Sequence, residues 1–199
     1  MSKNQSQIDN IQATERLPPL NLYPDKQSSR CRCWIRTVDD DGLSFALRQE
    51  ARLRASTDED IFNHLIGIAG EYAVSGFYGV PVNREIYSDY EGDDGYDLEL
   101  YHDGERRRIE VKTVYEGEEE LVVQKDRIDD ADYFVLCRTI SPTTMVELIG
   151  RTTRPRLKEF GERYPDKDTI HLDSRYLESF PATEISPDKV RKAQVSGSQ

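Results

Sequence analysis

A two-residue turn between two alternating segments is the feature that most constrains how this chain folds. Apolar and polar residues alternate in residues 97–101 and again in residues 108–112, on either side of Asp103-Gly104. An Asp-Gly pair between such segments is a strong signal for a β-hairpin with a two-residue turn. Residues 94–113 are therefore predicted to form a hairpin, because alternating side chains point to opposite faces of a strand. Its apolar face would carry Leu98, Leu100, Ile109 and Val111.

The same turn predicts which residues face each other across the hairpin. Counting outward from the turn, Glu99 lies opposite Arg108 and Asp97 lies opposite Glu110, with Lys112 diagonal to Asp97 on the same face. Directly opposed side chains have Cβ atoms about 4.5–5.5 Å apart, and like charges placed so are destabilising. A cation between the two acids would remove that cost. A bulge or a longer loop would shift the register by one residue and separate the pair.

The order of Asp97 followed by Glu110-Val111-Lys112 resembles the signature of the PD-(D/E)xK nuclease superfamily. In that superfamily a lone acid on one strand precedes a Glu-x-Lys pair on the next, and an earlier helix often adds another acid. Residues 65–75 resemble that helix, with Glu71 in the matching place. The chain departs from the pattern at Tyr96, where many members have proline. The resemblance covers roughly residues 58–151.

This resemblance implies an α/β (α+β) fold with a restriction-endonuclease-like core, in which helices flank a mixed central β-sheet of four or more strands. It implies a metal-dependent nuclease that hydrolyses phosphodiester bonds of nucleic acid, with DNA the expected substrate and with endonuclease and exonuclease activity both open. Asp97, Glu110 and the Val111 carbonyl would hold Mg²⁺ or Mn²⁺. Lys112 would position the attacking water, and Glu71 would assist as a further catalytic and metal-binding acid.

Other functions stay open beside this one. Members of the superfamily whose site has decayed serve as nucleic-acid-binding or protein-interaction modules, and an acidic structural protein could carry the same hairpin with its charges merely paired. Members that cut duplexes commonly pair two active sites, so a homodimer is also left open.

The helix that carries Glu71 has its own sequence signals. Thr57-x-x-Asp60 resembles a capping box, and apolar and small residues continue at helical spacing to about Phe77. An ionised carboxylate in such an apolar stretch is costly unless it is paired or bound to metal. Arg84 is the alternative partner for Glu71.

The charge balance does not suggest a simple nucleic-acid binder. Acidic residues number 38 against 27 basic ones, which gives a net charge of −11, whereas DNA-binding proteins often present a basic face. The basic residues comprise 19 arginines and 8 lysines. An acidic, lysine-poor composition is what we expect of a halophilic-type protein that works in molar salt, where the Debye length is about 3 Å.

Positive charge is nevertheless clustered near the hairpin and after a later strand. Such clusters can contact phosphates. An equally weighted alternative is that the hairpin arginines pair with the acids of their own hairpin. The candidate nucleic-acid contacts are Arg106, Arg108, Arg151 and Arg154.

Composition and pattern also predict the organisation of the chain. Residues 1–30 are polar and proline-containing, which predicts a disordered or extended lead-in. Residues 31–183 are predicted to form a single nuclease-like domain, with further strands near residues 133–137 and 145–150, and residues 184–199 a flexible C-terminal tail.

Cysteine content and hydropathy bear on the location of the protein. Three cysteines are too few for a disulfide framework, and their spacing does not match a zinc site. The sequence has no apolar run of about 18 or more residues and no apolar leader. We therefore expect a cytoplasmic protein without a membrane span.

Overall fold

The computed structural model describes residues 31–34, 47–48, 50–53, 60–82, 95–102, 104–115, 117, 119–141, 145–181 and 184–196. The predicted lead-in at residues 1–30 lies outside them. In chain order the elements are β1 (Cys31–Trp34), α1 (Asp60–Tyr78), β2 (Leu98–His102), β3 (Glu105–Tyr115), β4 (Glu120–Gln124), β5 (Tyr133–Ser141), β6 (Met145–Thr153), α2 (Arg154–Phe160), β7 (Glu162–Tyr164), β8 (Thr169–Asp173), β9 (Glu184–Ile185) and α3 (Pro187–Ser196).

A six-stranded mixed sheet forms the centre of the fold, in the order β2-β3-β5-β6-β1-β9. β3 runs parallel to β5 and β1 runs parallel to β9, whereas the other neighbours are antiparallel. A second sheet has three strands in the order β4-β8-β7. The predicted fold class, a mixed sheet flanked by helices with a restriction-endonuclease-like core, is confirmed.

The two faces of the central sheet bury two separate hydrophobic clusters. Val135 and Cys137 of β5 face a cluster that includes α1 and α3, while Phe134 and Leu136 face a cluster formed with the small sheet and α2. This division follows from the alternation of side chains along a strand. A strand buried on both faces reads as a continuous apolar run, as residues 134–137 of β5 do.

Helix α1 lies close to the sheet because small residues line its contact surface. Gly70 lies against Thr113 of β3, and Gly76 lies against Val190 of α3. The helix ends at Gly79, whose φ of 73° is the left-handed conformation of a helix C-cap, and the Gly79 N–H donates to the Ser75 carbonyl at 2.8 Å. α1 thereby brings Glu71 to β3.

The predicted flexible tail is wrong for residues 184–196, which form β9 and α3. β9 pairs with β1, and Val190 of α3 is fully buried against α1. The helix is mostly polar, and among its residues whose burial is described Val190 and Ala193 are buried, three positions apart on one face. Three apolar residues, Val190, Ala193 and Val195, make a weak sequence pattern, so the helix depends on docking rather than on local propensity.

Candidate active site

The β2–β3 hairpin has the predicted register. Glu99 pairs with Arg108 and Tyr101 pairs with Arg106, which confirms the two-residue turn. Gly104 has a φ of 79°, the conformation that primed hairpin turns require and that glycine adopts without strain. Asp103 lies outside the described residues.

The register shifts at Asp97, which corrects the predicted opposition of Asp97 and Glu110. Leu98 pairs with Ile109, and the Asp97 N–H also donates to the Ile109 carbonyl at 2.9 Å. Two successive residues opposite one residue of the partner strand define a β-bulge. Asp97 therefore lies at the edge of β3, and its carboxylate accepts a hydrogen bond from the Val111 N–H at 2.6 Å.

The acidic groups of the site remain close enough to interact electrostatically. Desolvation raises the pKa of Asp97 well above its usual value, and the nearby carboxylates of Glu71 and Glu110 raise it further. The Val111 hydrogen bond and the Lys112 ammonium act in the opposite direction. The structure thus brings together all four predicted catalytic residues, with an excess of negative charge at Asp97.

These groups surround the edge of β3 instead of sharing one face. Glu110 and Lys112 alternate with Val111, so they point away from the face that α1 covers, while Glu71 lies on α1 above the opposite face. Glu110 is ion-paired with Lys112. Glu110 keeps 13% of its side chain exposed and Lys112 keeps 38%, so solvent reaches the pair.

Glu71 is buried, with 7% of the residue exposed. Its neighbour Gly70 contacts Thr113, two residues beyond Val111 on β3, so the helix crosses the strand at the level of the site. The alternative partner Arg84 lies outside the described residues.

The oxygen donors at this edge are of the chemical kind that small divalent metal ions prefer. The described residues contain no group of three or more His, Cys, Asp and Glu side chains arranged to hold a metal. The predicted set instead combines the Asp97 and Glu110 carboxylates with the Val111 carbonyl. That carbonyl leaves β3 on the same side as the Val111 N–H, which points at Asp97. The mutual repulsion that raises the pKa of Asp97 is the charge imbalance that a cation would remove.

The four arginines predicted to contact nucleic acid have different environments. Arg106 is 60% exposed and pairs with Glu99 at 3.0 Å, and Arg108 lies over the Tyr96 ring at 4.8 Å. The interpretation that hairpin arginines serve their own hairpin is thus confirmed for Arg106. The prediction that Arg151 contacts nucleic acid is wrong.

Arg151 is a buried structural residue. It donates to the Tyr78 hydroxyl at 2.7 Å, pairs with Glu178 at 3.4 Å and keeps 8% of its side chain exposed. The sequence shows a cluster of arginines, but it does not show that the Arg151 side chain is buried on the face of the sheet that α1 covers. Such a side chain cannot reach a phosphate outside the fold.

Arg154 belongs to a junction that sequence reasoning did not find. Its Nε donates to the Ala131 carbonyl at 2.9 Å and its Nη2 bonds to Asp132 at 2.7 Å. Asp132 also accepts from the Arg108 N–H at 3.0 Å, which fastens the start of β5 to β3 beside the site. An aspartate directly before a strand is a weak signal for such a role.

The fold and these residues define a mixed α/β protein with a restriction-endonuclease-like core and an acidic, lysine-containing strand edge. Residues 67–133 match the family model described as Protein NO VEIN, C-terminal, a domain related to the PD-(D/E)xK-like nucleases. The match spans about a third of the chain and includes Glu71, Asp97 and Lys112. No curated protein and no solved structure matches significantly. None of the helices that the structure describes is long and apolar enough to cross a membrane.

Proposed function

We propose that this protein is a metal-dependent nuclease that hydrolyses phosphodiester bonds of nucleic acid, with DNA as the expected substrate. The observation that carries the proposal is the convergence of Glu71, Asp97, Glu110 and Lys112 at one edge of β3. Their order resembles the PD-(D/E)xK signature, and the match to a nuclease-like family model across the same stretch supports it.

Mg²⁺ or Mn²⁺ would supply a water of lowered pKa and a positive charge on the phosphate oxygens. Asp97, Glu110 and the Val111 carbonyl are the residues that would hold it, since hard oxygen donors suit both ions. Glu71 would assist from α1 as an additional acid. The bulge at Asp97 contributes to this donor set because it turns the carboxylate toward the Val111 edge.

Side chains of the protein would orient the attacking water and stabilise the transition state. Lys112, held by Glu110, would orient the attacking water and offset the negative charge that develops on the phosphate in the transition state. Glu71 would accept a hydrogen bond from that water. By resemblance, the products would carry a 5′-phosphate and a 3′-hydroxyl.

The test is cleavage of single-stranded, nicked, branched and duplex DNA, and of RNA, with and without Mg²⁺. Asp97→Asn and Lys112→Ala should abolish Mg²⁺-dependent cleavage. Lys125→Ala is the matched control, because Lys125 is a partly exposed lysine paired with Asp168 at 2.9 Å outside the site. The proposal fails if no substrate is cut, or if the two site variants cut as fast as the control.

A nucleic-acid-binding or protein-interaction module is the second candidate. The Glu110–Lys112 ion pair is the observation that favours it, because the pair balances the charge of Glu110 without a metal ion. This alternative predicts no cleavage and no binding of Mn²⁺ in calorimetry. For a nucleic-acid-binding module, affinity for nucleic acid would persist in EDTA.

A further inference from the structure

A cavity of about 450 Å³ lies beside the candidate site. Its central residue, Tyr133, pairs with Ile109 of β3 on one side and with Thr153 of β6 on the other. The volume is within the range of small-molecule sites, about 300–1,000 Å³. The cavity is lined by Arg107, Asp132, Tyr133, Thr153, Arg154 and Pro155.

Arg107 contributes a guanidinium whose bonding is incomplete. Its Nε is buried and has no hydrogen-bond partner among the described residues. Its ion pair is with Glu105, which is 65% exposed, and exposed pairs contribute little to stability. Because Nε itself has almost no accessible surface, a ligand in the cavity would meet the terminal nitrogens of this partly exposed guanidinium.

Arg154 contributes a second guanidinium that is already held in place. Its Nε and Nη2 are fixed by the Ala131 carbonyl and by Asp132. Its Nη1 lies 3.8 Å from Asp129, which instead accepts a hydrogen bond from Lys158 at 2.6 Å. One side of the Arg154 guanidinium therefore remains available to a ligand in the cavity.

The wall between these arginines carries hydroxyl groups. Thr153 is the N-cap residue of α2, and its side chain makes no capping hydrogen bond. Tyr133 lines the same cavity. Guanidinium groups with hydroxyl donors suit phosphate oxygens, and an aromatic ring suits a base.

We propose that this cavity binds the phosphate group of a nucleotide. The role of the cavity in catalysis rests on the proposed nuclease function. In a nuclease the cavity would hold a phosphate of the substrate that lies away from the cleaved bond. Arg107 precedes Glu110 by three residues on β3, which is about 10 Å along a strand.

Binding is measured by calorimetry in EDTA, so that the result does not depend on a metal or on cleavage. The probes are dAMP, dTMP and inorganic phosphate, which separate a nucleotide site from a site for free phosphate. Arg107→Gln should weaken dAMP binding about tenfold or more, the loss of a hydrogen bond to a charged group. Thr153→Val should weaken it less.

Arg175→Gln is the matched control. Arg175 is exposed and pairs with an acid two residues earlier, Asp173, as Arg107 does with Glu105. It lies outside the cavity, so its substitution should leave dAMP affinity unchanged. Circular dichroism and the unfolding midpoint of each variant show whether it has folded.

The proposal is overturned if neither dAMP nor inorganic phosphate binds at millimolar concentration, or if Arg107→Gln and Arg175→Gln bind equally. Binding of inorganic phosphate with the same affinity as dAMP would overturn the assignment to a nucleotide. Asp97→Asn separates the two proposals, since it should abolish cleavage and retain dAMP binding. Binding without cleavage in the wild type would refute the nuclease and leave the cavity assignment intact.

Discussion

Replacing Gly70 by alanine is expected to destabilise the fold and to disturb the candidate site. Gly70 lies where α1 crosses β3, and a Cβ added there would lie 1.9 Å from Thr113 Oγ1 and 3.1 Å from Thr113 Cβ. The helix and the strand would have to separate to accommodate it. Because Glu71 follows Gly70 directly, the same displacement would move its carboxylate away from Asp97.

Two opposing effects determine how much the Gly70→Ala substitution changes the free energy of unfolding. Alanine is more favourable than glycine in a helix interior by about 1 kcal/mol. Overpacking a close-packed interface costs about 1–3 kcal/mol. The cost at Gly70 should be at the upper end, because Thr113 is β-branched and its Cγ2 is already 3.3 Å from the added Cβ, so changing rotamer does not remove the clash. The net loss is about 1–2 kcal/mol, or about 2–8 °C in Tm for a chain of this size.

Gly67→Ala is the matched control on the same helix. A Cβ at Gly67 meets nothing within 4 Å, so this variant should gain about 1 kcal/mol from helix propensity alone. The assay is urea unfolding of both variants and of Gly70→Ala combined with Thr113→Ala. The second substitution removes Thr113 Oγ1 and Cγ2, which would lie 1.9 and 3.3 Å from the added Cβ, and should restore most of the lost stability.

Equal stabilisation by Gly70→Ala and Gly67→Ala would refute the reasoning. So would a double variant no more stable than Gly70→Ala, because the coupling between residues in contact should be about 0.5–3 kcal/mol. Cleavage measured on the folded variants should fall for Gly70→Ala and remain unchanged for Gly67→Ala.

Three other variants or reactions test different parts of the structure. Since the pKa of Asp97 is raised in the folded state, its contribution to stability is fully present below the ordinary carboxyl pKa and is lost as the pH rises through the raised value. Asp97→Asn should therefore be more stable than wild type at neutral pH, and a stability difference independent of pH would contradict this. Arg151→Met should cost about 3–5 kcal/mol by leaving Glu178 without its buried partner, with unchanged nucleic-acid affinity in the folded fraction. Burial raises the pKa of Cys33 to about 12, so its alkylation by iodoacetamide, followed by mass spectrometry, should require unfolding in urea.

The hairpin and α1 could be predicted because their signals are local. Asp103-Gly104 and the alternation around it determine the register from Leu98 to His102. α1 is described from Asp60, the last residue of the predicted capping box, and ends at Tyr78, one residue beyond the predicted end. A turn and a helical repeat of apolar residues can both be recognised from residues that are close together in the sequence.

The remaining features depend on contacts between distant parts of the chain. Arg151 looks like an exposed cation in sequence, and its burial follows from the packing of Tyr78 and Glu178 around β6. α3 contains few apolar residues, and its docking uses the space that Gly76 leaves on α1. Neither property has a local pattern from which it could be derived.

The bulge at Asp97 explains why a reactive site could form at this point of the sheet. Beyond Ile109 the described residues pair β3 only with β5, so the Val111 edge is not covered by β2. An open strand edge is ordinarily a liability, because its backbone groups can pair with another chain. Here the Asp97 carboxylate accepts from the Val111 N–H, and the carbonyl of the same residue leaves β3 on the same side. In a regular antiparallel ladder the Val111 N–H would donate to the Tyr96 carbonyl, so the irregularity replaces a backbone acceptor with the Asp97 carboxylate and thereby brings an acid to this edge.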